Sequence, residues 1–142
     1  MAQHRREPKG RSDSDDPGVL GQEDAAVAGL ARTGQHEQAV QAATSALAAN
    51  GLSPQQQLSL FAQRAESLLA LLRLNDAEAD ANAMLALARR TKSVAHQAQA
   101  LACLAHVQTR QERSEVAQAT AAAAVAAARH CRRRELVALA LL

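Results

Sequence analysis

Small residues recur at matching positions in three segments of this chain, about forty residues apart. Each segment has an alanine, a second alanine four residues later, and three residues after that an alanine followed by an aliphatic residue. The first alanines are Ala39, Ala79 and Ala117, and the closing pairs are Ala46-Leu47, Ala86-Leu87 and Ala124-Val125. In both series the second and third members are two residues closer together in the sequence than the first and second members. Units repeated in this way cannot bury their apolar faces alone, and they stack on one another into a solenoid.

Helical periodicity fills the intervals between these alanines. Alanine, the best helix former, occurs 36 times, whereas Phe61 is the single aromatic residue. A first helix is expected over 20–32, and Ser53-Pro54-Gln55-Gln56 is typical of a capped helix start. Asn75 and Glu78 are expected to cap a fourth helix, and a last helix is expected to begin near Arg133. The sequence therefore predicts an all-α fold, an α-solenoid of about three helix-turn-helix repeats plus an unpaired C-terminal helix.

The two ends of the chain differ from the repeats. Residues 1–19 are expected to form a disordered N-terminal tail, because no apolar side chain between Gln3 and Asp16 offsets the entropy lost on ordering. Residues 20–142 then form the helical repeat domain. Its end is apolar nearly all round, unlike the polar outer face of a terminal repeat. We therefore expect either that the domain continues in a longer protein or that Leu136, Leu139 and Leu142 are covered by a second copy.

These repeats resemble the tetratricopeptide family over about residues 20 to 142. In that family the second helix of each unit opens with a small residue and closes with a small residue before an aliphatic one, as here. The small residue of the first helix falls at Val27, Ser67 and Ala105, and the turn glycine matches Gly34, with Leu74 and Glu112 at the next two turns. Other residues occupy the family's aromatic positions, namely Leu30, Ala70 and Gln108 and also Ala43, Ala83 and Ala121.

The repeat period exceeds the usual value of about 34 residues. It is similar to the extended repeats of bacterial regulators and of sensor regions in nucleotide cyclases and related signalling enzymes. The resemblance implies a right-handed solenoid that binds a protein or peptide on the concave face formed by the first helix of each pair. By register, the outward positions on that face are Asp24, Arg32, Phe61, Arg64, Leu68, Gln99, His106 and Arg110. The three arginines would make the groove basic and suited to an acidic or carboxylate-terminated segment, and a merely solvated face is the alternative.

No motif for catalysis or for a cofactor is visible. The six glycines form no phosphate-binding loop, HExxH is absent, and no nucleophile stands beside a base at a recognisable spacing. Cys103 and His106 could share a metal with His96, but His96 and Cys103 would lie about 10 Å apart along one helix, too far for one zinc ion. We therefore expect no enzyme activity, no cofactor and no metal site, with Cys103 packing as a small hydrophobe.

A basic cluster runs from Arg129 to Arg134. It could bind phosphate or an acidic segment, or it could complement the negative end of a helix. Nucleic acid is disfavoured as a partner, because the formal net charge is only +2 and no aromatic residues accompany the arginines. No apolar run is long enough to span a membrane and no signal peptide is visible, so we expect a cytoplasmic protein with reduced thiols.

Three functions remain open from the sequence. The first is a protein-interaction scaffold, serving as the docking or sensory segment of a larger bacterial signalling or regulatory protein. The second is a nucleic-acid-associated helical protein that uses the Arg129–Arg134 cluster. The third is a piece of the regulatory region of a nucleotide cyclase or a similar signalling enzyme.

Overall fold

The chain is helical throughout the part that the structure describes. The computed structural model describes the backbone of residues 17–140 and the side chains of residues 23–135 and 140. The helices there are α1 Pro17–Arg32, α2 His36–Leu47, α3 Pro54–Ala70, α4 Leu74–Arg90, α5 Val94–Arg110 and α6 Ser114–Ala140. No strand occurs among these residues, and the predicted all-α class is confirmed. The expected tail of residues 1–19 lies mostly outside the described residues, and α1 begins three residues before the predicted start.

The start of α3 follows the predicted capping chemistry. The backbone N–H of Gln56 donates to Ser53 Oγ at 3.2 Å, and the backbone N–H of Ser53 donates to Gln56 Oε1 at 2.8 Å. Both donors would otherwise lack an intrahelical acceptor, so the reciprocal pair fixes where α3 begins. The cap predicted for α4 is wrong, because that helix begins one residue before Asn75, with Arg73 at the N-cap and no side-chain cap.

The three turns inside the hairpins share one geometry. Gly34, Leu72 and Glu112 have φ angles of +78°, +58° and +61°, in the left-handed region. After each of them, the next backbone N–H donates to the carbonyl five residues back, at 2.9 Å in all three turns. This is the Schellman arrangement that ends a helix by satisfying its last carbonyls. The turn equivalent to Gly34 is therefore centred on Leu72 and not on Leu74.

These equivalent turns define how the three hairpins align. The shorter interval separates the first hairpin from the second, and the longer interval separates the second from the third. On that alignment Ala39 corresponds to Ala77 and Ala117, which are 0%, 0% and 6% exposed. Ala79 and Ala86, the positions predicted from the sequence, are exposed. The predicted order, with the longer step first, is thus wrong for the second hairpin by two residues. The predicted alignment is wrong because α4 has alanines on both faces, so the alanine pattern fits either alignment.

The corrected alignment also changes which residue of the second hairpin is equivalent to the small residue in the first helix of the other two hairpins. It falls at Val27, Ala65 and Ala105, which are all buried, rather than at Ser67 in the second hairpin. Ser67 is itself fully buried, and its hydroxyl lies 3.3 Å from Nδ1 of His36 in α2. Burial alone therefore did not distinguish the two alignments in α3.

The unpaired C-terminal helix predicted from Arg133 is also wrong. Helix α6 runs unbroken for 27 residues through that position. No glycine or proline follows Ser114, and the alanines and arginines that fill this stretch are strong helix formers. The local sequence therefore offers nothing that would end the helix before Arg133.

The helices pack in chain order. Each helix contacts the next one, and α1 also contacts α3, as α3 contacts α5. Apolar clusters form at these junctions. One joins α1, α2 and α3 around Val27, Ala43 and Leu60, and another joins α3, α4 and α5 around Leu58, Met84 and Ala100. A further cluster, called here the central apolar cluster because its members come from α2 to α5, holds Val40, Leu68, Ala77 and Val107.

Candidate partner-binding surface

Helix α3 contacts both α1 and α5, and the exposed side of these three helices is called here the odd-helix surface. Asp24 on α1 accepts hydrogen bonds from Ser59 Oγ at 2.9 and 3.0 Å, and it also accepts one from the Gln63 amide, both on α3. Asp24 is therefore held between two helices of this surface. Arg32, at the end of α1, is exposed.

The residues predicted for this face on α3 lie elsewhere. Phe61, Arg64 and Leu68 are turned toward α2 and α4, where Arg64 reaches Thr44 and Asp80. Leu68 is only 3% exposed and belongs to the central apolar cluster, so its predicted contact with a partner is wrong. The two-residue slip in the repeat explains the error, because two residues turn a helix face by about 200°.

Arg64 forms a buried ion pair with Asp80 of α4. Its Nε and Nη2 donate to the two carboxylate oxygens at 2.7 and 2.6 Å, and the Asp80 side chain is 7% exposed. The hydrogen bonds to Asp80 raise the pKa of Arg64 further above its ordinary value. The guanidinium carbon lies 5.8 Å from the centre of the Phe61 ring, within range of a cation–π contact. Arg64 is thus a structural residue whose charge is neutralised, and the predicted basic groove loses one of its three arginines.

A groove lies between α3 and α5 on the odd-helix surface. Its volume is about 330 Å³, and Glu66, Gln99 and His106 are exposed around it. Met84 of α4 forms part of its floor and is buried. Gln99 and His106 were predicted from the sequence, whereas Glu66 was missed; the corrected alignment makes Glu66 the equivalent of His106. Arg110, the last predicted residue, is exposed at the end of α5.

Cys103 lies in the same groove with its thiol largely withdrawn from water. Burial, with Glu66 and Asp80 contributing next, raises the pKa of Cys103 to about 11. The thiol is therefore protonated at neutral pH, and a protonated thiol is neither a good nucleophile nor a metal ligand.

Ser93 Oγ and His96 Nδ1 form a hydrogen bond of 2.6 Å at the start of α5. Among the residues that the structure describes, no three potential ligands come together as a metal site.

Side chains in the turns connect neighbouring hairpins. Glu78 of α4 accepts a hydrogen bond of 2.9 Å from the Gln111 amide and one of 3.1 Å from Arg113, both in the turn before α6. The Gln111 bond chiefly, and Arg113 after it, lower the pKa of Glu78. Arg73 occupies the equivalent place in the second hairpin and lies 3.9 Å from Glu37 of α2. The sequence does not reveal these connections, because its local pattern predicts that Glu78 belongs to a helix cap.

The basic cluster of Arg129 to Arg134 lies within α6 and not at its end. These arginines are exposed, and α6 continues for six residues after Arg134. Their predicted role in complementing a helix terminus therefore does not hold. The leucines predicted to mediate self-association, Leu136, Leu139 and Leu142, have side chains outside the described residues.

None of the helices within residues 17–140 combines the length and the apolar character needed to cross a membrane. Comparison of the chain with protein-family models, with curated proteins and with solved structures finds no match in any of the three.

Proposed function

We propose that the chain is a right-handed α-solenoid of tetratricopeptide type that binds protein partners and catalyses no reaction. Two features of the packing support the solenoid. Consecutive helices contact in chain order, and the odd-numbered helices also contact one another. The hairpin turn recurs with one hydrogen-bonding geometry at Gly34, Leu72 and Glu112. Such stacking leaves an extended surface along one set of helices, which repeat proteins use for binding.

The groove between α3 and α5 is the observation that carries the binding proposal. Glu66, Gln99 and His106 place a carboxylate, an amide and an imidazole around an opening with an apolar floor. Polar groups that converge on an apolar concavity are the usual composition of a recognition site. Because Glu66 lies beside His106 and Arg64 is neutralised by Asp80, the groove suits a mixed polar and apolar segment better than a purely acidic one.

The chemistry of the groove favours binding over catalysis. Its thiol, Cys103, has a pKa of about 11 and is protonated at neutral pH, so an activated nucleophile is missing from it. In this proposal the domain is the docking or sensory segment of a larger bacterial signalling or regulatory protein, as the resemblance to long-period repeats implies.

The test compares groove variants with a control on another face. Glu66→Arg combined with Gln99→Arg changes two exposed residues of the groove, and Asn82→Arg changes an exposed residue of α4. The full chain and both variants are used as bait, and the bound proteins are quantified by mass spectrometry. We expect at least one protein to bind the original chain and Asn82→Arg equally, and to be lost from the groove variant. Equal binding to all three chains, or no binding above that of an unrelated bait, would contradict the proposal.

A further inference from the structure

The outer side of the last hairpin carries an open apolar groove between α5 and α6. Two adjoining cavities of about 520 and 500 Å³ form it, and both are bordered by Val125. Val125 is 49% exposed. Eight of the seventeen residues that line it are alanines from the two helices, such as Ala98, Ala102, Ala117 and Ala121. Short side chains let the backbone of another helix approach closely, so larger side chains on that helix can fill the groove.

The equivalent grooves of the first two hairpins are filled by helices of this chain. Leu60 of α3 packs with Ala43 in the groove between α1 and α2. Ala100 of α5 packs in the cluster between α3 and α4. Ala43 and Ala81 are both 0% exposed, whereas Ala121, at the equivalent position of the third hairpin, is exposed. The last groove therefore has the form that this sequence twice covers with an α-helix, and it has no helix over it among the described residues.

The charges at one end of this groove are unbalanced. Arg129 and Arg132 line the second cavity with Glu135, and neither arginine forms an ion pair with a residue that the structure describes. Helices α4 and α5 are joined by three residues and run antiparallel. A helix placed on α6 in the same way as α5 on α4 would begin beside Arg129 and Arg132. Acidic residues are favoured in the first turn of a helix, which is where these arginines would meet them.

We propose that the α5–α6 groove binds an amphipathic α-helix of a partner protein, with branched aliphatic side chains at three- and four-residue spacing and acidic residues in its first turn. The apolar side chains of that helix enter the alanine-lined groove, and its first turn pairs with Arg129 and Arg132. This site is separate from the α3–α5 groove, although Ala102 and His106 border both. The experiment below therefore avoids those two residues and is independent of the proposed odd-helix surface.

The probe is a synthetic peptide that copies residues 93–111, with Cys103→Ser to prevent oxidation and with Ala95→Glu and His96→Glu to make its first turn acidic. A matched peptide carries lysine at the same two positions. Binding of each peptide to the full chain is measured by isothermal titration calorimetry. We expect the glutamate peptide to bind at least tenfold more tightly than the lysine peptide, and we expect Arg129→Glu with Arg132→Glu in the protein to reverse that preference.

Two protein variants locate the binding site. Ala121→Glu places a charge inside the groove and should abolish binding of the glutamate peptide. Ala122→Glu changes a neighbouring exposed residue that does not line the groove, and it should bind the peptide as the original chain does. Circular dichroism should show the same helix content for both variants, because both positions are exposed.

Four outcomes would overturn the proposal. One is the absence of binding by either peptide, and another is binding that Ala121→Glu does not weaken. A third is a dimer of the chain alone that Ala121→Glu dissociates, which would make a second copy the occupant. The fourth is peptide binding that appears only after residues 2–16 are removed, which would make the chain's own first segment the occupant.

Discussion

Within residues 17–140, three residues other than glycine hold left-handed backbone conformations in the turns. They are Leu72, Lys92 and Glu112, with φ angles between +56° and +61°. Such a conformation costs a residue with a side chain about 1–2 kcal/mol relative to the right-handed one. Of the three turns inside the hairpins, only the first has glycine at this position, Gly34, so the sequence indicates that turn and gives no such signal for the turns at Leu72 and Glu112. This is why the second turn was predicted two residues too late.

Replacing Leu72 with glycine should stabilise the fold. Leu72 is 63% exposed, so Leu72→Gly removes little buried surface while relieving the left-handed strain. We expect the free energy of unfolding to rise by about 1 kcal/mol, measured by urea denaturation. Ala86→Gly is the control, because Ala86 is exposed inside α4 and glycine there should lower stability by about 0.5–1 kcal/mol. A loss of stability in Leu72→Gly would show that the turn does not have this geometry.

The pH dependence of stability tests the environment of Cys103. Its pKa is raised to about 11 in the folded chain, against 9.0 for the ordinary thiol. The unfolded chain therefore loses this proton first, and stability that is fully present below pH 9 falls as the pH rises toward 11. We expect Cys103→Ala to lose about 2 kcal/mol less than the original chain between pH 8 and pH 11. Parallel pH profiles for the two proteins, measured by urea denaturation, would show that the thiol is not desolvated.

At the scale of single helices, the sequence predicts those helix boundaries that local capping residues, glycines and prolines determine. The capping box at Ser53 places the start of α3 correctly, because both of its hydrogen bonds form locally. The start of α4 was misplaced, because Glu78 is used instead in a contact with Gln111 and Arg113 from a distant turn. No local pattern reveals such long-range contacts. The length of α6 could have been predicted from the absence of any glycine or proline after Ser114.

The ion pair of Arg64 and Asp80 ties α3 to α4, and it gives a prediction at this scale. Arg64→Ala should destabilise the fold by about 3 kcal/mol, because it leaves a buried carboxylate without its partner. The double variant Arg64→Met with Asp80→Leu removes both charges and should remain within about 1 kcal/mol of the original chain. Both are measured by urea denaturation. A double variant as unstable as Arg64→Ala would contradict this explanation.

At the scale of the whole molecule, the sequence predicts the fold class and the approximate period of the repeat but not its alignment. Matching alanines exist on both faces of α4, so the pattern fits equally well whether the shorter or the longer step comes first. In the folded chain the shorter interval comes first, because that alignment buries Ala77 and Ala81 between helices. The same two-residue difference in alignment decides which residues of α3 lie on the odd-helix surface. It explains why Glu66, which lines the α3–α5 groove with Gln99 and His106, is not among the residues that the sequence pattern indicates.

The alignment of the second hairpin is tested most directly by placing a polar side chain at Ala77 and at Ala79 in turn. Ala77 is 0% exposed in the central apolar cluster, and Ala79 is exposed. Urea denaturation should show that Ala77→Gln loses about 3 kcal/mol or more, because the amide neither fits nor finds hydrogen-bond partners there. Ala79→Gln should change stability by less than about 0.5 kcal/mol. If Ala79→Gln were the more damaging change, or if both were tolerated, the burial of Ala77 against the neighbouring helices would be contradicted.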